Sequence, residues 1–210
     1  MSLVVVTANL DKDRPGDRRL LVHAEHAARS AVKARRAEGA VGALTERGHG
    51  PRSVRVRPVD GLPVGEQRWA TVVPVGVHNA IAWRTVIVDG HPVRVVTVHG
   101  LHRKTVGPAR QAAYWAALAM ILTGWTARGI RWVLAGDFNR GVRAVARMLG
   151  GRGVGRGVDG VVVSRGLSVH LIRVDYWPIV QGLTDHPMVV ALVSVKPTRR
   201  RRAPSTTQEP

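Results

Sequence analysis

Hydrophobic positions along the chain fall in short, valine-rich runs separated by glycine, proline and charged residues, with two long interruptions. Leu3 to Thr7 and Ala40 to Leu44 are continuous apolar runs of the kind a strand covered on both faces requires, whereas Ser53 to Pro58 alternates Val with Arg like a half-exposed one. Trp69 to Val77 and Ala80 to Arg84 read as paired strands. Thr85 to Val88 and Pro92 to Val98 flank Asp89-Gly90, a dipeptide that accepts the positive φ values of a tight hairpin turn. Trp132 to Ala135, Val158 to Val163, Leu167 to Val174 and Met188 to Val195 complete the set. Leu167 to Val174 is expected to form a hairpin with the run before it.

The interruptions have helical spacing. Arg19 to about Glu38 lacks proline and glycine and places Leu21, Ala24, Ala28 and Val32 on one face, with Gly39 as its expected stop. Pro108 opens a second helix that runs to about Arg128 and is closed by Gly129. Gly141 to Leu149 reads as a short helix and Gly150 to Gly157 as a flexible Gly/Arg loop. Strands that read mostly as hairpins, broken by two long helices, predict an α+β layered sandwich rather than a doubly wound parallel sheet.

Composition sharpens that picture. With 210 residues and 45% hydrophobic content, the chain can build one sizeable core. Its 32 Lys+Arg against 14 Asp+Glu give a net charge of +18. A field of that sign attracts polyanions. Residues 196–210 contain five bases and one acid, so +14 stays with residues 1–195, which we read as the folded domain; 196–210 reads as a basic disordered tail. The absence of cysteine excludes disulfides and thiolate metal sites, leaving oxygen and imidazole as the available metal ligands. No signal sequence or membrane-spanning run is visible, so the expectation is a cytoplasmic monomer with no membrane partner.

Polar residues collect where the apolar runs stop. Asn9, Glu46, His99, Asp137, Asn139, Asp159, Asp185 and His186 all lie at or beside predicted strand ends. Asp137 and Asn139, two apart, would point the same way. Such a set suits Mg²⁺ or Mn²⁺ and can divide the work of phosphoester hydrolysis between cation, water-orienting carboxylate and charged imidazole. Isolated polar turns would leave the same local signature. Asp11, Asp13 and Asp17 lack calcium-loop spacing and read as a solvated charge run, and Trp115, Trp125 and Trp132 read as core. Arg140, Arg152 and Arg156 are candidate nucleic-acid contacts.

Asn9 after a first strand, Glu46 after a second, Val98-His99, Gly136-Asp-Phe-Asn139, Val158-Asp159 and Thr184-Asp185-His186-Pro187 follow one another in an order that resembles the endonuclease/exonuclease/phosphatase superfamily. The resemblance spans Leu3 to Val195 and implies two mostly antiparallel sheets packed as a four-layer α/β/β/α sandwich. It further implies a divalent-metal-dependent phosphodiesterase. By the same token Glu46, Asn9 and Asp185 would serve the metal, Asp137 would orient the attacking water, and Asn139 and His99 would hold phosphate. His186 would contact the scissile phosphate with Asp159 behind it. Two departures stand out: Thr45 precedes Glu46 where the family has Gln, and Thr184 replaces Ser before Asp-His. The basic charge favours a DNA or RNA substrate; small or lipid phosphate esters, and a catalytically lapsed nucleic-acid-binding module, are the alternatives.

Overall fold

The valine-rich runs become strands in two sheets. The computed structural model describes residues 2–10, 17–46, 54–60, 65–72 and 80–196. In chain order these form β1 (Ser2–Leu10), α1 (Asp17–Arg35), β2 (Gly39–Glu46), β3 (Val54–Asp60), β4 (Arg68–Thr71), β5 (Ala80–Val88), β6 (His91–His99) and α2 (Arg103–Val106). There follow α3 (Pro108–Ala127), β7 (Arg131–Asp137), α4 (Val142–Met148), β8 (Arg152–Arg156), β9 (Asp159–Val163), β10 (Leu167–Asp175), α5 (Trp177–Val180) and β11 (Met188–Val195). The first sheet has the order β10-β11-β1-β2-β3 and the second β4-β5-β6-β7-β9-β8. Pairing is antiparallel except between β1 and β2 and between β6 and β7.

Period-two alternation sorts the strand residues into layers. Leu3, Val5, Val41 and Ala43 meet Val93, Val95, Val133 and Ala135 between the sheets. The opposite side chains of β1, Val4, Val6 and Ala8, pack under α1 through Leu20, Ala24, Ala27, Ala28 and Ala31. Val96, Val98 and Leu134 pack under α3 through Tyr114, Trp115, Leu118, Leu122 and Trp125. Three apolar layers separate four structural ones, which is the α/β/β/α sandwich that the motifs imply. The three tryptophans read as core are buried.

Several local expectations are corrected. The first helix stops at Arg35, not Gly39: Arg36 takes φ 50°, and Ala37 N–H reaches back to Val32 O at 3.1 Å, so an arginine fills the left-handed closing position. Gly39 instead begins β2, and the buried face of α1 runs through Leu20, Ala24, Ala27, Ala28 and Ala31, so Ala24 and Ala28 lie where expected while Leu21 and Val32 are only partly buried. The Gly/Arg stretch read as a loop contains the edge strand β8. Gly153 lies against Val162, Ala146 and Val142, where a side chain would collide, so its glycine marks close packing rather than freedom. β10 is not the hairpin partner of β9; it pairs with β11 in the other sheet, while β9 lies between β7 and β8. Both runs have strand character, and periodicity carries no information on which sheet a strand joins.

The pairings bring the carboxyl ends of β1, β2, β6 and β7 and the amino ends of β9 and β11 to one edge of the sandwich. Asn9 pairs with Thr45, His99 with Asp137, Asp137 with Asp159 and Thr7 with Val189. Among the described residues, no helix is long and apolar enough to cross a membrane. Of the proposed tail only Lys196 is described, its Nζ donating to Arg165 O at 2.9 Å; residues 197–210, the 48–50 loop and Asp11 and Asp13 lie outside the described residues.

Candidate active site

β7 carries its apolar run into Gly136-Asp137-Phe138-Asn139, and each of these residues has a separate task at the sheet edge. Gly136 (φ 134°) passes so close to β6 that a Cβ would sit 2.2 Å from Val98 O, and a Cβ on Gly100 would sit 2.1 Å from Phe138 O. The two chains can therefore meet here only as glycine backbone. Phe138 is fully buried against Trp115, with ring centroids 6.1 Å apart and edge to face. This anchor holds the turn while its polar neighbours face outward.

Asn139 adopts φ 46°, a left-handed conformation held by three hydrogen bonds. Its N–H donates to Asp137 Oδ1 (2.8 Å), its Nδ2 donates to Gly100 O (2.7 Å), and its carbonyl accepts from Gln111 Nε2 (3.1 Å). Asp137 is thereby fixed through one carboxylate oxygen. The other, Oδ2, lies 3.4 Å from Asn9 Nδ2, 3.5 Å from His99 Nε2 and 3.7 Å from His186 Nε2. Its side chain is only 2% exposed. Three nitrogen groups thus converge on one buried carboxylate oxygen at distances longer than optimal hydrogen bonds.

His186 is fixed from two sides. Its backbone N–H donates to Thr184 Oγ1 (3.2 Å), a bond that needs only a hydroxyl at this position. Its Nδ1 lies 2.9 Å from Asp159 Oδ2. Burial alone would lower the imidazole pKa, but the hydrogen bond and charge of Asp159, with Asp137 and Asp185 nearby, outweigh it and raise the pKa to about 9. Burial raises the Asp159 carboxyl to about 6 against the opposing pull of His186. At neutral pH the pair is imidazolium and carboxylate, with Nε2 directed toward Asp137. Asp185 Oδ1 lies 3.6 Å from the same Nε2, on a side chain 71% exposed.

The structure therefore brings together Asn9, His99, Asp137, Asn139, Asp159, Asp185 and His186. Glu46 ends β2 beside Leu10, one residue beyond the Asn9–Thr45 pair; its side chain lies outside the described residues. Arg140 is exposed on the rim immediately after Asn139, and Arg156 pairs with Asp159 in the β8–β9 ladder. Arg152 does not join them. It pairs with Val163, four residues along β9 from Asp159 and hence roughly 13 Å from the edge.

Gln111 escapes the sequence reading. It is buried, and its Nε2 donates to both Leu101 O (2.8 Å) and Asn139 O (3.1 Å), tying the loop after β6 to the loop after β7. The signal was present: Gln111 shares a helical face with Tyr114, Trp115 and Leu118, where a polar side chain needs a partner. His23 also has partners that sequence did not reveal, Asp175 at 3.0 Å and the stacked ring of Trp177 at 4.1 Å.

Asp137, Asp159 and His186 each offer a ligand atom within 4.8 Å of the others, an oxygen and nitrogen set able to hold a metal ion. The 2.9 Å contact between His186 Nδ1 and Asp159 Oδ2 engages one donor atom of each of these two residues with the other. The donors left for a hard cation are the oxygen ligands at the strand ends.

No family model matches the sequence, and no curated protein matches it. Solved structures do match. The endonuclease/exonuclease/phosphatase from Bacteroides vulgatus has a TM-score of 0.60 and 12% identity, covering 93% of this chain and 100% of that one. The catalytic domain of human Nocturnin with a bound sulfate anion gives 0.66 and 12%, covering 93% and 95%. TDP2 from Caenorhabditis elegans gives 0.65 and 15%, covering 93% and 76%. The chain has the endonuclease/exonuclease/phosphatase fold, in agreement with the order of its motifs.

Proposed function

We propose that this protein is a divalent-metal-dependent phosphodiesterase that hydrolyses the backbone of DNA or RNA. The observation that carries the reading is the convergence of Asn9, His99 and the His186–Asp159 pair on the buried Oδ2 of Asp137. A buried carboxylate beside a cationic imidazole supplies a proton acceptor for water and a charge for a phosphate oxygen within one small space. The sulfate in the Nocturnin structure is a tetrahedral anion of the same class as a phosphate group.

In this reading Asp137 Oδ2 orients a water and takes its proton as the water oxygen attacks phosphorus in line, and the bond from phosphorus to the leaving oxygen breaks. His186 Nε2–H and His99 hold the non-bridging oxygens. Asp159 keeps His186 charged and fixes its ring; Asn139 holds the Asp137 turn in place and lies beside the phosphate. Glu46, Asn9 and Asp185, oxygen donors on neighbouring strand ends, would hold Mg²⁺ or Mn²⁺. When bound, the ion neutralises phosphate charge and stabilises the leaving oxygen.

The test is incubation of the full chain with supercoiled plasmid, linear DNA and RNA in Mg²⁺, Mn²⁺ or EDTA, beside an Asp137→Ala, His186→Ala double variant. Cleavage that requires the cation and is lost in the double variant is the expected result. Cleavage surviving in EDTA or in the double variant would overturn the mechanism, and turnover confined to small esters would overturn the substrate assignment.

A further inference from the structure

Three arginines gather on the outer face of the second sheet, away from the catalytic edge. Arg68 on β4 pairs in register with Trp83 on β5, and Arg94 on β6 lies in the adjacent row, opposite Thr85. Trp83 packs on Trp125 of α3, their ring centroids 5.5 Å apart. The Arg94 guanidinium lies 4.4 Å above the Trp125 ring. Arg128 caps the same helix, its Nε donating to Gly124 O at 3.0 Å. Burial, and then the positive charges of Arg128 and Arg68, lower the pKa of Arg94.

Neither Arg68, Arg94 nor Arg128 forms an ion pair among the described residues, although Glu66 is only two positions from Arg68. The sequence supplies no acid between Gly90 and Gly136, the segment containing β6, α2, α3 and most of β7. Other arginines of the fold are differently placed: Arg57 meets Glu25 at 2.9 Å and Arg173 meets Asp175 at 3.4 Å. Packing Arg94 on an indole orients its planar fork but leaves its charge unneutralised. Three mutually repelling cations around a tryptophan pair are a receptor for an anion with more than one charge. Arg94 lies five residues along β6 from His99, so the cluster is roughly 17 Å from the catalytic edge, too far to touch the scissile phosphate.

We propose that Arg68, Arg94 and Arg128, mounted on Trp83 and Trp125, form a second binding site, which holds the phosphodiester backbone of a nucleic-acid strand away from the bond being cut. This rests on the nucleic-acid reading of the active site. The site makes the enzyme favour long strands: a dinucleotide occupies only the catalytic edge, whereas a longer chain reaches both.

The test compares the full-length protein with an Arg68→Gln, Arg94→Gln, Arg128→Gln variant. Binding of long single-stranded DNA and RNA is followed by fluorescence anisotropy across a salt series, in an Asp137→Ala, His186→Ala background for both proteins. Each phosphate contact on a single strand adds about 0.7 to the salt slope, so the triple variant should lose about 2 and bind roughly a hundredfold more weakly at about 0.1 M salt. With the active site intact, its KM for the long strand should rise while turnover of a dinucleotide stays unchanged. An unchanged salt slope, or an equal loss on dinucleotide and long strand, would overturn the proposal. If the triple variant fails to fold, Arg68→Gln alone, at an exposed strand position, should remove about 0.7 of the slope, and no change would be equally damaging. A protein that cuts no nucleic acid but binds the long strand with this arginine-dependent slope would refute the proposed function and leave the second site standing.

Discussion

The two sheets bring unlike chemistry to the edge they share. The buried carboxylates, Asp137 and Asp159, both belong to the second sheet, while the groups that reach them across the gap, Asn9 and His186, belong to the first. Beneath this edge the sheets meet through a layer of valine, alanine and leucine, crossed by the bond from buried Thr97 Oγ1 of β6 to Arg55 O of β3 at 3.2 Å. The apolar contacts are strong in sum and non-directional, so they hold the sheets together without fixing how one slides on the other. Directional bonds supply that register, from Thr97 to Arg55 in the interior and between His186 and Asp159 at the rim. The His186–Asp159 pair is thus both a part of the site and a clasp between the sheets, and substitutions on either side of the gap separate the two roles.

The largest effect should come from removing chemistry while leaving the clasp intact. Asp137→Asn keeps the size and the acceptor for Asn139 N–H but replaces the oxygen that faces Asn9, His99 and His186 with an uncharged donor, and kcat for nucleic-acid cleavage should fall by about 10²–10⁴ while the protein stays folded. Parallel steady-state kinetics and thermal melts check both halves of this expectation. Phe138→Ala does the reverse. It empties a fully buried position against Trp115, and unfolding in denaturant should show a loss of about 3–5 kcal/mol.

Asp159→Asn strikes the clasp itself. The folded pKa of His186, about 9, lies above its ordinary 6.5, so its contribution to stability is complete below pH 6.5 and is lost as pH rises through about 9. In EDTA, an NMR titration of the His186 ring should give a midpoint near 9 in the parent protein and fall well below it in the variant, where only the charges of Asp137 and Asp185 are left to offset burial. The variant should also lose the stability difference between pH 6.5 and pH 9. A ring that titrates unchanged in Asp159→Asn would break the link between the sheets and the charge on the imidazole.

The layers were legible in the sequence because each strand carries a simple signature. Continuous valine runs such as Leu3 to Thr7 require cover on both faces, and Asp89-Gly90 fixes one hairpin without further information. Partnership between distant strands has no such local record, so β10 was assigned to β9 rather than to β11. The glycines of β8 misled for a related reason: they look like flexibility in one dimension and are close packing in three. In the site, the residues that end strands were readable from position alone. The residue that joins two of those strand ends, Gln111, sits in the first turn of α3, where only its place on an apolar face sets it apart.

Gln111 also provides the smallest and most discriminating test. Its two bonds reach Leu101 O and Asn139 O, so both lie within the second sheet's half of the molecule and neither crosses the gap. Gln111→Leu fills the same space with an apolar group and strips two carbonyls of their donor, which should cost about 1–3 kcal/mol of stability. Asn139 is held at φ 46° partly by that bond, and its N–H in turn fixes Asp137 Oδ1. A relaxed turn should therefore lower kcat more than it raises KM, while the His186 midpoint moves less than in Asp159→Asn, because the bond to Asp159 is untouched and only the nearby charge of Asp137 is displaced. Gln111→Glu keeps the length but offers the carbonyls an acceptor in place of a donor, and it should be no better than Leu. Were His186 to shift in these variants by as much as in Asp159→Asn, the clasp would depend on the turn that holds Asp137, and the two sides of the gap would not act separately.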